Sequence, residues 1–329
     1  MPVLVTGGTG FIGGHVLRGL VNRGHKVIAL DSIPDTEWIG DIAERIGIVK
    51  GEVQDLPIII DTIRKFGVTH IVHTASMLTT ASKQRPSAAF SVNILGTVNI
   101  LEAARLMDVS QVTYASSTAV YGNTDEGEVV DEEHPQKPVT LYGVSKLLGE
   151  HYGLVYCQDY GLGFNALRFP IIYGPGQSRR GFDSIKEVVE KPVQGLPAKV
   201  PVGGDQTYDT VYVKDVADAI ISACFVGKTE HRLFNIGLGA MHSLREVASI
   251  VGKIIPGSIF ELGPGLDIGE PVRGPLDITR ARAELGYEPK FNLEGGVRDY
   301  MQALRDHEWG SPTSLPTLNS KESRFGSLV

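Results

Sequence analysis

Val3-Leu4-Val5-Thr6-Gly7-Gly8-Thr9-Gly10-Phe11-Ile12-Gly13-Gly14-His15-Val16 decides how the chain is read. An apolar, β-prone run breaks into a glycine turn and resumes as an amphipathic helix, the order of elements that binding a dinucleotide requires. Gly7 permits a tight turn, Gly10 has no Cβ to obstruct a pyrophosphate, and Gly13 lets the helix pack closely on the strand. Phosphates would lie at the helix N-terminus, around Phe11 and Ile12, where free N–H groups and the macrodipole favour negative charge.

Downstream residues extend this reading. Residues 26–30 form a second apolar run, and Asp31 closes it near the ~20-residue spacing expected past the glycines. A carboxylate there accepts hydrogen bonds from the adenosine ribose and repels a 2′-phosphate, so NAD is expected rather than NADP. Ser32-Ile33-Pro34-Asp35 contains no Arg or Lys to reverse that preference.

The 329 residues suffice for two modest domains or one large domain with insertions. With 42% hydrophobic and 21% charged residues, the composition is that of a soluble globular protein. A net charge of -7 and the lack of a basic run argue against nucleic-acid binding, leaving small molecules as the expected partners. Cys157 and Cys224, the only cysteines, read as buried helical thiols, not a disulfide or metal site, and fit a reducing cytoplasm. No metal is expected. The chain starts directly on a strand and has no run of ~18 apolar residues, so neither a signal peptide nor a membrane partner is expected.

Strands and helices go on alternating. Strands are expected over 46–50, 68–72, 111–115 and 163–169, and helices over 55–66, 87–107 and 142–160. This pattern predicts an α/β fold, a Rossmann-type doubly wound parallel sheet, over 1–172. His73, at a strand end, reads as structural since nothing nearby in sequence resembles a catalytic partner. The acidic stretch 125–133 reads as a solvated loop. Residues 173–308 begin rich in Gly and Pro and continue with shorter elements. They predict a smaller, discontinuous, mixed α/β substrate domain, with 213–237 returning to the first domain. The polar segment 309–329 reads as a mobile tail.

Tyr142-Gly143-Val144-Ser145-Lys146 places Tyr142 and Lys146 one helical turn apart on one face. A phenol with an ordinary pKa near ~10 is a poor base at neutral pH, and a neighbouring cation favours the phenolate. Lys146 could supply that charge and also hold the nicotinamide ribose. Ser117, at a strand end, could hydrogen-bond a substrate oxygen as it changes between hydroxyl and carbonyl.

The ordered set of glycine turn, Asp31, Asn93, Ser116-Ser117, Tyr142-x-x-x-Lys146 and Arg168-Phe169-Pro170-x-x-Tyr173-Gly174-Pro175-Gly176 resembles the extended short-chain dehydrogenase/reductase superfamily. More closely, it resembles the NAD-dependent epimerase/dehydratase family, over about residues 2–305. The resemblance implies a catalytic set of Ser117, Tyr142 and Lys146. It also implies adenine contacts near Glu52 and Val53, nicotinamide-side contacts around Thr74, Ala75 and Pro170, further cofactor contacts at Ser76 and Ala115, and a supporting role for Asn93. Substrate contacts would fall on Ser116, Ser117, Thr118, Tyr142, Tyr208 and Arg273. Family members commonly dimerise through two helices per subunit, which implies a homodimer through the helices near Ser87 and Tyr142.

Departures from the family's patterns narrow the activity. Dehydratases carry an acidic pair where this chain has Thr118-Ala119, and decarboxylating members place a Glu where Ala119 stands. Neither residue exchanges a proton at neutral pH, which disfavours both activities. Many nucleotide-sugar enzymes place an Arg where this chain has Tyr208, and a phenol makes no bidentate clamp on a diphosphate. Arg273, Arg179 and Arg180 could compensate. The expectation is NAD-dependent oxidation of a secondary alcohol on a sugar or polyol-like substrate. Epimerisation leads, a net dehydrogenase on a small non-nucleotide substrate is the alternative, and a noncatalytic NAD-binding protein comes last.

Overall fold

The computed structural model describes residues 1–125, 127–176, 184–266 and 272–306. In chain order its strands are β1 (Pro2–Thr6), β2 (Lys26–Asp31), β3 (Gly47–Lys50), β4 (His70–His73), β5 (Gln111–Ser117) and β6 (Gly163–Phe169). They continue as β7 (Ile171–Tyr173), β8 (Ala198–Val200), β9 (Thr207–Tyr212), β10 (Leu233–Asn235), β11 (Met241–Ser243) and β12 (Phe260–Leu262). Seven strands form one sheet in the order β10-β6-β5-β4-β1-β2-β3, and every pairing in it is parallel. Strands β11-β9-β7 form a small mixed sheet and β12-β8 a two-stranded one.

Alternation along β1 explains why its run is apolar throughout. Val3 and Val5 enter one core with Leu17, Leu20, Val216 and Ile220, whereas Leu4 enters the opposite core with Ile28, Ile59, Ile63 and Ile100. The sheet is thus covered by helices on both faces, as parallel sheets must be. A third core, around Tyr173, Tyr212, Val247 and Tyr300, belongs to the smaller C-terminal part. Strand order reverses between β1 and β4, and ligands bind such sheets at the carboxyl ends beside that switch point.

Several sequence expectations need correction. The helix expected over 87–107 is three pieces, Pro86–Ala89, a π-helical Phe90–Leu95, and Gly96–Leu106. The strand expected over 111–115 continues to Ser117, because Ser116 and Ser117 pair with Arg168 and Phe169 on β6. The stretch 125–133 is not simply solvated. Val130 is fully buried and bridges Leu276, and Glu132 is buried, one oxygen accepting from the Asn235 amide at 2.8 Å. Cys224 is buried as expected, but Cys157 is only half-buried. Among the described residues, Pro86–Leu106 is the one helical stretch long and apolar enough to cross a membrane, and half of it is buried inside the fold. The tail over 309–329 lies outside the described residues.

Candidate active site

The glycine turn is built as its spacing suggests. Gly7 has φ +63°, and its amide donates to the Leu30 carbonyl at 2.8 Å, tying the turn to the end of β2. A Cβ on Gly13 would lie 2.2 Å from the Gly7 oxygen, so helix and turn are in direct backbone contact. A Cβ on Gly10 would meet only that oxygen, at 3.1 Å. Helix Phe11–Asn22 begins at Gly10 without a side-chain cap, so its first amides, at Phe11 and Ile12, have no intrahelical acceptor and suit a pyrophosphate. The Phe11 side chain itself packs against the C-terminal core. Asp31 holds the turn's far side, accepting from the Thr9 amide and hydroxyl at 3.2 and 2.8 Å and from the Ile33 amide at 3.2 Å. Thr9 escaped the sequence reading. Trp38 did too; its indole N–H donates to the Gly10 carbonyl at 3.2 Å.

The β4 end joins the same crevice. Thr74 donates its hydroxyl to the Thr6 carbonyl at 2.7 Å, and a Cβ on Gly7 would stand 2.9 Å from the Ala75 amide nitrogen. Asn93 accepts from the Met77 amide at 2.7 Å and donates to Ser145 at 3.2 Å, with the Ser76 hydroxyl donating to it at 3.3 Å. It therefore links the β4 loop to the helix carrying Tyr142, from a π-helical stretch of the kind often found at functional sites. Glu52 is exposed beyond β3. The Val53 side chain is buried against Gly96, so only its backbone could meet a ligand. His73 has partners that sequence proximity hides. Its Nδ1 lies 2.6 Å from the Thr6 hydroxyl and its Nε2 3.0 Å from the Thr97 hydroxyl, and burial pushes it down to about 3, a neutral structural ring.

Helix Leu141–Tyr160 starts at Thr140, whose hydroxyl accepts from the Gly143 amide at 3.0 Å. This places Tyr142 and Lys146 beside the carboxyl end of β5. Lys146 is buried and donates to the Ala115 carbonyl at 2.7 Å, and its Nζ lies 5.5 Å from the Tyr142 ring centre. Ser117 faces the same cavity as Tyr142, and its hydroxyl accepts from the Ala119 amide at 3.1 Å. The expected depression of the Tyr142 phenol is not present. Burial pushes Tyr142 up to about 12, opposed by nearby Ser117 and the charge of Arg273, while burial pulls Lys146 down to about 7.

A cavity of about 130 Å³ opens in front of these groups, lined by Ser117, Thr118, Tyr142, Pro170, Tyr208 and Arg273 among others. Arg273 is oriented by donating its Nε hydrogen to the Gly122 carbonyl at 2.8 Å. Ser116 is a correction. It is buried and donates to Glu150 at 2.6 Å, and it does not line the cavity, because successive side chains on β5 face opposite ways. Thr79, Thr140 and Asp209 line the cavity without having been anticipated. Asp209 accepts from the amides of Leu238, Gly239 and Leu276 at 3.0 to 3.1 Å, which fixes the wall behind Arg273. Arg179 and Arg180 lie outside the described residues. Among the described residues, no group of three or more His, Cys, Asp and Glu could hold a metal ion.

This combination, a phosphate-ready glycine turn with a Ser/Tyr/Lys cluster at the next crevice, agrees with a match of residues 3–237 to the NAD dependent epimerase/dehydratase family. The chain belongs to that family. NAD is its cofactor, and the glycine turn, the uncapped helix start and Asp31 fit it. Among family relatives, the UDP-glucose 4-epimerase of Mycolicibacterium smegmatis is 31% identical over 314 residues, covering 93% of this chain and 99% of that one. The Thermus thermophilus UDP-glucose 4-epimerase, solved with NAD, superposes with a TM-score of 0.83 at 33% identity, covering 93% of this chain and 99% of that one. The Thermotoga maritima UDP-glucose 4-epimerase, solved with UDP-glucose, gives 0.84 at 26% identity, covering 94% and 100%. The family's α/β architecture is the one described above.

Proposed function

We propose that this family member oxidises a secondary alcohol of a sugar-type substrate and returns it inverted, as a sugar epimerase. The observation that carries the reading is that Ser117 and Tyr142 line one cavity while Lys146, buried behind them, is fixed to the strand that bears Ser117. Bound NAD supplies a positively charged ring that accepts the carbinol hydride and can give it back. Tyr142 exchanges the hydroxyl proton, and Ser117 steadies the oxygen as it becomes a carbonyl. The phenol, raised by burial, needs added positive charge nearby before it serves as a base near neutral pH. Lys146 in its ammonium form provides part of that charge.

The named relatives support a nucleotide-sugar substrate. A second reading, net dehydrogenation of a small non-nucleotide alcohol, draws on the cavity. Its volume, about 130 Å³, is below the roughly 300–1,000 Å³ of drug-sized ligand sites, and Tyr208 offers it no charge. On either reading, residues 1–172 with 213–237 form the NAD-binding domain, and the remainder of 173–308 forms a discontinuous substrate domain. We place the protein in the cytoplasm as a homodimer. Leu141, Val144, Leu148, Tyr152 and Val155 recur every three or four residues as an exposed apolar stripe on one helix, with Phe90 and Leu95 exposed on the neighbouring segment.

The test is proton NMR in D2O on UDP-hexoses, free sugars and polyols. Inversion of one carbinol with its carbon-bound hydrogen retained supports the epimerase reading. Accumulation of NADH and a ketone supports net dehydrogenation, and deuterium entering the inverted carbon contradicts both.

A further inference from the structure

Lys146 and Glu150 stand one turn apart on the Leu141–Tyr160 helix, and both are almost fully buried. Two other elements grip the carboxylate. Arg168 on β6 donates to it twice, at 2.9 and 2.7 Å, and Ser116 on β5 donates its hydroxyl at 2.6 Å. Arg168 donates in turn to the Tyr121 hydroxyl at 2.9 Å and the Glu132 carbonyl at 3.0 Å. Tyr121 then donates to Asn235 on β10 at 2.6 Å, so the cluster spans three neighbouring strands and the helix. An ion pair with side chains 0% and 1% exposed is expensive to desolvate and adds little net stability, which directs attention to what it does for its neighbours.

The surroundings of Lys146 are otherwise poor in negative charge. Tyr142 and Glu150 share its helix, the Tyr114 ring centre on β5 lies 4.8 Å from its Nζ, and His73 faces it from β4 as a neutral ring. The Ala115 carbonyl accepts one of its hydrogens. Among the described groups bearing on Lys146, Glu150 is the one carboxylate, and Arg168 is the cation that moderates it.

We propose that Glu150 is a positioning residue for Lys146: its clamped carboxylate keeps the buried amine protonated, and thereby keeps the Lys146–Tyr142 pair usable near neutral pH. The second clause rests on the alcohol-oxidation reading; the first does not. Burial drags the amine down to about 7, and the Glu150 charge works against that pull. An opposite charge within about 4–6 Å is typically worth about 1–3 pH units, and the ion pair Glu150 makes is with Arg168, not with Lys146. Arg168 and Ser116 draw on the same carboxylate, so its effect on Lys146 belongs at the lower end of that range.

The 329-residue chain allows the two roles to be tested separately. The 13Cε resonance of Lys146, assigned by Lys146→Arg, reports the lysine's titration without any substrate. Glu150→Gln is expected to move that titration down by about one pH unit. Since this variant strands Arg168 without its partner, Glu150→Gln/Arg168→Met, which removes both charges, is measured beside it and is expected to move the same way. Ser116→Ala leaves the ion pair intact and is expected to shift the titration by less than half as much, upward. An unmoved lysine in the Glu150 variants, or an equal downward shift in Ser116→Ala, overturns the proposal. With a substrate in hand, the alkaline limb of kcat/KM is expected to follow the lysine. A lysine that moves while the limb stays leaves the hold of Glu150 on Lys146 standing and overturns the role of Lys146 in the reaction.

Discussion

The Lys146 ammonium donates to the Ala115 carbonyl at 2.7 Å, which joins the helix carrying Tyr142 to the strand carrying Ser117, two residues further on. The three side chains are therefore set by contacts between rigid elements, this one and the neighbouring Ser116–Glu150 bond among them. Lys146→Met removes both the tie and the charge. Turnover is expected to fall at least about 10²-fold, and NAD is expected to bind more weakly. Trp38, whose indole donates to the Gly10 carbonyl, reports that binding by its emission in a Trp309→Phe background, since the chain has only these two tryptophans. Unchanged turnover and affinity would contradict the assignment.

Gly13→Ala tests the turn. The added Cβ would lie 2.2 Å from the Gly7 oxygen and 2.8 Å from Gly8, both backbone, so the helix start must move. A stability loss of about 1–3 kcal/mol is expected from such overpacking. A larger relative loss of NAD affinity should accompany it, measured by thermal unfolding with and without NAD. Equal stabilisation by NAD in both proteins would count against phosphate binding at this turn.

Stability should depend on pH through His15 and His73, which burial holds down to about 4 and about 3. The unfolded chain takes up these protons below about 6.5. The folded protein resists them, so stability rises with pH across this window and is lost as pH falls from about 6.5 toward 4. His25 and His70, also lowered by burial, add to this; Asp209, pushed up to about 6, and Glu132 and Asp215, raised by burial, oppose it in the acid part of the window. Thermal midpoints at pH 7 and pH 5 should differ more in the wild type than in His73→Gln. Parallel behaviour of the two proteins would exclude His73 as a source of the dependence.

Val144 and Leu148 sit on the exposed apolar stripe, 40% and 37% accessible. Val144→Lys/Leu148→Lys is expected to convert a dimer to a monomer in light scattering without lowering NAD affinity. A wild-type protein that is already monomeric would remove this helix face as an interface.

Much of this architecture was legible because it is local. The glycine spacing, Asp31 at the end of β2 and the four-residue step from Tyr142 to Lys146 are each set within one strand, turn or helix. What escaped the reading depends on contacts across the sheet. The sequence gives no sign that Ser116 turns away from the cavity until β5 is seen to run two residues further, in register with β6. Val130 and Glu132 look solvated until Leu276 and Asn235 arrive from more than a hundred residues away. His73 lacked partners for the same reason, since Thr6 and Thr97 approach from separate elements. Glu150 did leave a trace. It follows Tyr142 and Lys146 at the same four-residue interval, which puts all three on one helical face.

The central claim is that Tyr142 exchanges the substrate proton in an NAD-loaded site. Tyr142→Phe keeps the ring and removes only the hydroxyl, in a cavity that Ser117 also lines. NAD affinity and turnover of whichever sugar or alcohol the NMR screen identifies should be measured on the same preparation. Unchanged NAD affinity with turnover reduced about 10²–10⁴-fold is the predicted result; full turnover by the phenylalanine variant would contradict the mechanism.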